Sequence, residues 1–256
     1  MISIENAYTN YLCRKYVVVS SLLLNNDIEK FYGISCDSIF AIDNFFNIDE
    51  FSKMVANAKA IYYKPKFGFL GNIELIKTFC KKNNITLIED FTESFSANKI
   101  IDGKSLYAGM FGDVSICLIN DTYFYATDDK KLAEYLRAVA HPFTDLQKEN
   151  LIDFLFEAEE QKRQKRIAVA NYMAFFAYLR LCGFLKPVCE GEGEVASYPV
   201  FAVTAEKSNE IFQFLMQKGI QVTLWNNLLL LPTNVTEEVM RRIIDLITKF
   251  YKEAIV

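Results

Sequence analysis

Between Ser38 and Asp90, stretches suited to β-strands alternate with stretches of helical period, and this alternation limits the possible folds more than any other feature of the chain. Strand-like runs stand at Tyr16 to Ser20, Ser38 to Asp43, Ala60 to Lys64, Ile85 to Asp90 and Val114 to Ile119. Asn47 followed by Glu50 has the capping-box spacing ahead of Phe51, Met54 and Val55, and Asn72 is placed to cap a helix with Ile73, Ile76, Phe79 and Cys80 on one face. Strand, helix and strand in this order predict two right-handed βαβ units and a mostly parallel sheet with helices on its faces. The run ITLI at Ile85 is apolar, as a strand buried on both sides must be.

The second half reads differently. Leu151 to Leu181 is a long helical stretch whose middle, EAEEQKRQKR, is too charged to be buried all round, so it connects to a second domain. CEGEGE at Cys189 to Glu194 reads as a solvated loop, with an acidic metal site as the alternative. A strand follows at Tyr198 to Val203, then a helix at Lys207 to Lys218 stopped by Gly219 and strands at Gln221 to Leu224 and Leu228 to Leu231. A last helix is capped by Thr236, with Glu237 and Glu238 in its first turn. The expected organisation is a large α/β domain over residues 1–150 and a connecting helix with a small C-terminal α+β domain over residues 151–256.

Composition removes several functions. The 28 Lys+Arg nearly balance the 32 Asp+Glu, and no basic block concentrates charge as a phosphate backbone requires, so nucleic acid is not the expected partner. The longest apolar run, YVVVSSLLL at Tyr16 to Leu24, is too short to cross a bilayer, and Met1 is followed by no basic segment of a signal peptide; neither membrane association nor export is expected. Six cysteines, Cys13, Cys36, Cys80, Cys117, Cys182 and Cys189, show no metal-binding spacing and read as buried thiols of a cytoplasmic protein. The single histidine, His141, precedes Pro142 in a loop-like stretch, so no His-ligated metal cluster can form. The chain has ten glycines and no GxGxxG or GxxxxGK[ST] stretch, which excludes the common glycine-rich phosphate cradles.

The segment ITLIEDFTESFSANKIIDGKSLYAGMFGDVSICL, Ile85 to Leu118, resembles the cofactor-binding heart of the DegT/DnrJ/StrS-type sugar aminotransferases. These are pyridoxal-phosphate (PLP) enzymes of the aspartate-aminotransferase fold. Their pattern is a strand ending Glu-Asp-Ala-Ala-Gln, a glycine-containing turn, then Gly-Asp and a further strand. This chain has Glu89-Asp90-Phe91-Thr92-Glu93 and Gly109-Met-Phe-Gly112-Asp113-Val114. ENAYTNYLCRKYVVVSS from Glu5 is similar to the family's opening helix and first strand, and TDDKKLAEYLR from Thr127 to the segment after its catalytic loop. The C-terminal part, through MQKGIQV to LLLLPTNVTEEVMRRII, resembles its small domain. The resemblance implies a three-layer fold-type-I PLP-transferase architecture for the large domain. It places Asp90 as the partner of the PLP ring nitrogen, at the carboxyl end of a parallel strand. Glu93 stands where the family has a glutamine on the ring hydroxyl. On the residues alone, without the resemblance, Glu89 and Asp90 read instead as carboxylates that end a strand in solvent or cap the next turn.

Three departures fall in one pocket. The family lysine, which binds PLP covalently and shuttles a proton, lies in a loop after the strand matched by Ser115 to Ile119. Here Asn120-Asp121 leads directly into Thr122, and an ungapped match puts Tyr123 at the lysine position. The Gly-Thr turn that holds the PLP phosphate is replaced by Ser20-Ser21-Leu22-Leu23, and the ring-stacking segment is largely deleted between Leu24 and Phe31. Asp90 and Glu93 are then vestigial cofactor positions, and Asp90 is expected to be an exposed carboxylate of little consequence. The resemblance with these losses implies a degenerate sugar-aminotransferase-like protein without PLP or transamination, a binding or partner subunit in surface-polysaccharide and nucleotide-sugar metabolism. It would dimerise with itself or with an active paralogue, with a nucleotide sugar as a candidate ligand. Apolar runs at Ile61 to Leu70 and Phe175 to Tyr178 are candidates for the dimer face. The alternative is an enzyme, a PLP-dependent nucleotide-sugar aminotransferase above all, using a relocated lysine such as Lys64, Lys66, Lys99 or Lys104.

Overall fold

The computed structural model describes residues 16–119, 121–140, 145–181 and 184–254. Residues 5–15 of the proposed opening segment, including Cys13, lie outside the described residues, as do Asn120, His141, Pro142 and Cys182.

Strand β1 (Tyr16–Ser20) leads into α1 (Asn25–Tyr32), β2 (Ile39–Ile42), α2 (Ile48–Met54), β3 (Ala60–Tyr63), α3 (Ile73–Asn83) and β4 (Thr86–Asp90). A hairpin of β5 (Asn98–Ile101) and β6 (Lys104–Tyr107) precedes β7 (Val114–Ile119), β8 (Thr122–Thr127) and α4 (Lys130–Val139). Six strands form one sheet in the order β1-β8-β7-β4-β3-β2. The four from β2 to β7 run parallel, as the alternation of strand and helix predicts, while β8 is antiparallel to both β7 and β1. Apolar side chains cover both faces. Phe51, Ile73, Ile76 and Cys80 from α2 and α3 pack over Ile61 and Leu87, and Leu24, Ile28, Leu132 and Leu136, from α1 with its cap and from α4, pack over Val18, Ile88 and Ile116. Helix–sheet–helix is the layered arrangement in which a buried parallel sheet removes both of its faces from water.

Of the two expected caps, Asn47 makes its bond: its side-chain oxygen accepts from the Asp49 N–H at 3.0 Å. Asn72 does not. It sits at φ −93°, ψ 39°, outside the extended region from which a cap side chain reaches back to the first turn.

The chain divides into two compact units, Met1–Glu160 with Glu192–Ala196 and Gln161–Gly191 with Ser197–Val256. Helix α5 (Asp145–Leu181) spans the division in sequence. Beyond it come β9 (Leu185–Pro187), β10 (Glu194–Val195), β11 (Val200–Ala205), α6 (Ser208–Gln217), β12 (Thr223–Trp225), β13 (Leu228–Pro232) and α7 (Glu237–Ala254). In the second unit the antiparallel sheet β12-β13-β11-β9 packs Phe201, Val203 and Leu229 against Ile211, Leu215 and Ile243 of α6 and α7. Strand β10 belongs to the first unit, where it pairs with β5 and places Glu194 opposite Lys99.

The acidic run at Cys189 is therefore only partly a solvated loop. Residues 189–193 are exposed, but Glu194 is buried within β10. Cys80 and Cys117 are buried free thiols as expected, whereas Cys36 and Cys189 are exposed. Among the described residues no helix is long and apolar enough to cross a membrane, and no group of His, Cys, Asp and Glu could hold a metal ion.

Candidate functional site

Parallel pairing brings the carboxyl ends of β3 and β4 side by side, with Tyr63 opposite Glu89, and sets the end of β4 against the first half of β7, with Ile116 opposite Asp90. Because side chains alternate along a strand, Glu89 and Asp90 face opposite sides of the sheet. Glu89 has no solvent exposure. Its Oε1 accepts from the Gly109 N–H at 2.7 Å, and its Oε2 accepts from the N–H groups of Phe111 and Gly112, both at 2.9 Å, and from the Ser115 hydroxyl at 3.2 Å. Four charge-assisted bonds offset the desolvation of a buried carboxylate. A Cβ at Gly112 would stand 2.6 Å from the Val114 carbonyl oxygen and 2.9 Å from Glu89 Cβ, so only glycine fits there. The glycine turn of the quoted motif is thus organised around Glu89.

Asp90 is 7% exposed, which overturns the expectation of an exposed strand end. Its Oδ2 accepts from the Tyr62 hydroxyl at 2.7 Å and lies 3.4 Å from the Lys64 ammonium, while its Oδ1 accepts from the Thr92 N–H at 3.1 Å. Burial, and next the negative charge of Asp90, push the Tyr62 hydroxyl well above the ordinary tyrosine range, so it stays a donor. Glu93 is half-buried and extends the network, 3.3 Å from Lys66 and 3.8 Å from Lys64.

The loop that carries these lysines is held from several directions. Asn44 accepts from the Lys66 N–H at 2.6 Å, Tyr63 donates to the Leu70 carbonyl at 2.6 Å, and Lys99 donates to the Gly71 carbonyl at 2.7 Å. Glu194 accepts from the N–H groups of Leu70 and Gly71. Lys99 also pairs with Glu74 at 2.7 Å, so of the four candidate lysines only Lys64 and Lys66 join the cluster around Asp90 and Glu93. Lys104 is exposed at the start of β6.

Ile119 pairs with Thr122, so two residues connect β7 to β8. Tyr123 lies within β8 between Leu118 of β7 and Ser20 of β1, half-buried, with its ring stacked on Tyr125 at 6.4 Å. The Tyr125 ring is buried, and its hydroxyl accepts from the Leu24 N–H at 2.6 Å and donates to the Leu22 carbonyl at 3.3 Å. In the same turn the Leu22 N–H donates to Ser20 Oγ at 3.0 Å.

Of the residues singled out from the sequence, Asp90 and Glu93 meet through Lys64, whereas Tyr123 sits in β8 against Tyr125; Tyr62, Tyr125, Asn44 and the buried role of Glu194 were not expected. For Tyr62 and Lys64 a signal existed: parallel strands end at one edge, so Tyr62-Tyr63-Lys64 at the end of one strand must lie beside Glu89-Asp90 at the end of the next.

No family model matches the chain, and no curated protein matches it. Solved structures do. The chain is similar to the aminotransferase TlmJ of Streptoalloteichus hindustanus, at 14% identity and a TM-score of 0.78, over 99% of this chain and 91% of that one. It is similar to a DegT DnrJ EryC1 StrS aminotransferase of Brucella abortus, at 15% identity and a TM-score of 0.73, over 96% and 89%. It is also similar to Helicobacter pylori PseC, an aminotransferase involved in the biosynthesis of pseudoaminic acid, at 13% identity and a TM-score of 0.71, over 98% and 90%. At these identities the likeness establishes the fold, which is that of the sugar aminotransferases over nearly the whole chain.

Proposed function

We propose that this chain is a degenerate sugar-aminotransferase-like protein that has given up PLP transamination and acts as a binding or partner subunit in nucleotide-sugar and surface-polysaccharide metabolism. The observation that carries the reading is the two-residue connection between β7 and β8, where the family has its lysine-bearing loop. Transamination needs one amine that both binds the cofactor covalently and moves a proton at the substrate carbon. No lysine occurs between Val114 and Thr127.

The residues present do not fit PLP at its other anchors. The carboxylate that would meet the ring nitrogen is engaged by Tyr62, Lys64 and Thr92, and the turn that would hold the phosphate gives its Leu22 and Leu24 N–H groups to Ser20 and Tyr125. The pathway class rests on analogy with structural neighbours, PseC among them. A partner subunit in such a pathway would associate with itself or with an active paralogue and could retain a nucleotide-sugar site.

The position of Lys64 gives the enzyme reading its one specific support, since it is the candidate amine nearest Asp90. It is at the wrong pole. A lysine that touches Asp90 meets the nitrogen end of a bound ring, whereas the reactive carbon lies para to that nitrogen.

Incubation with PLP, borohydride reduction and peptide mapping test the proposal. No stoichiometric lysine label is expected. Stoichiometric labelling of a single lysine beside Asp90 would establish the enzyme reading instead.

A further inference from the structure

Loss of a catalytic lysine need not close a pocket, because ring nitrogen and phosphate could still hold the cofactor without a covalent bond. Both poles of this cleft are nonetheless taken by side chains of the chain itself, on elements distant in sequence. At the nitrogen pole, Lys64 and Tyr62 share the same oxygen of Asp90. At the phosphate pole, the Tyr125 hydroxyl receives one N–H of the turn and returns a bond to its Leu22 carbonyl, so donor and acceptor are both satisfied.

We infer that Lys64, Tyr62 and Tyr125 are internal replacements for the two poles of the cofactor, and that the former pocket, with both poles occupied by the chain's own side chains, rejects pyridine phosphates even as non-covalent ligands. This deepens the reading above and rests on its match of Asp90 to the family carboxylate. A protonated pyridine would have to displace a tethered ammonium from a carboxylate that is nearly out of water. The tether makes Lys64 a competitor at an effective concentration on the order of millimolar or higher, and the loop is pinned by Asn44 and Glu194. A phosphate would have to take the Leu24 N–H from the hydroxyl of a tyrosine that has no solvent exposure and also bonds the Leu22 carbonyl.

The chemistry is read with 4′-deoxypyridoxine 5′-phosphate, which keeps the ring nitrogen and the phosphate and has no aldehyde. Calorimetric titration of the intact protein at millimolar probe is expected to give no saturable heat; saturable binding overturns the inference. Borohydride labelling with PLP is blind to this outcome, and the deoxy probe is blind to any lysine, so failure here and failure of the functional reading are separate results. In parallel, urea midpoints are compared for Lys64→Met, Asp90→Asn and the double variant. If Lys64 is the cation of Asp90, the double variant is no less stable than the worse single one, and Lys64→Arg stays near the parent. Additive losses would mean that the two side chains act independently and would also overturn it.

Discussion

Glu89 and Asp90 are adjacent in one strand, yet their carboxylates serve two separate networks on opposite faces of the sheet. The first gathers three backbone N–H groups of the Gly109 to Gly112 turn; the second takes a tyrosine hydroxyl, an ammonium and one N–H. A Glu-Asp pair at the end of a central parallel strand therefore spends one carboxylate on the turn that follows and leaves the other for the cleft.

Glu89→Gln is expected to destabilise the protein although the two side chains have nearly the same shape. An amide nitrogen in place of one oxygen would face N–H groups that need an acceptor, at a cost of about 1–3 kcal/mol for each buried group left unpaired. The urea midpoint should fall well below that of the parent. An unchanged midpoint would mean that the turn holds without Glu89.

Asp90→Asn tests the correction at the cleft. As an exposed strand end, Asp90 would matter little. Buried with three partners, it is expected to lose roughly 1–3 kcal/mol when its charge is removed. A thermal or urea midpoint within error of the parent would restore the exposed reading.

The parallel core of the sheet was legible because period and strand length are local properties, and ITLI has to be buried on both faces wherever it lies. The resemblance carried by Glu89-Asp90 and Gly109 to Asp113 drew attention to the end of β4, where both carboxylate networks form. What the sequence left hidden was pairing over long separations. Tyr125 reaches Leu24 across 101 positions and Glu194 reaches Leu70 across 124, and no local pattern distinguishes such residues from an ordinary strand tyrosine or a charged loop. Glu194 was read as solvated because its neighbours are glycine and glutamate; one strand pairing, with β5, turns it inward.

Stability is expected to fall at alkaline pH through the buried tyrosines. Burial is the first cause that raises Tyr62, Tyr63 and Tyr125 above the ordinary value of 10.0. Each therefore keeps its proton in the folded chain where the unfolded chain has lost it. Below pH 10 this contribution is fully present. Above it, the unfolded state binds fewer protons, and each such tyrosine steepens the loss by up to about 1.4 kcal/mol per pH unit. Urea midpoints followed upward from pH 9 should decline, and Tyr62→Phe should decline less steeply than the parent. Parallel curves for the two proteins would refute the role given to Tyr62.

The remaining expectation is that the protein is a dimer, and the structure redistributes the grounds for it. Of the two apolar runs proposed as an association face, Ile61 to Leu70 is spent internally: Ile61, Tyr63, Phe67, Phe69 and Leu70 are all buried within the first unit. Phe175 and Tyr178 remain outside, 57% and 73% exposed three positions apart on α5, and Leu22 and Leu23 are exposed at the turn beneath which Tyr125 sits. Each Å² of such surface removed from water contributes about 25 cal/mol, so large aromatic and aliphatic side chains held in solvent favour association wherever a complementary face exists. Light scattering at micromolar concentration is expected to give twice the chain mass of 29.5 kDa, and Phe175→Ser with Tyr178→Ser should weaken the association if α5 supplies the contact. A parent protein that stays at the single-chain mass would refute self-association. Recovery of full-size complexes only after mixing with an active aminotransferase would assign the partner to a paralogue.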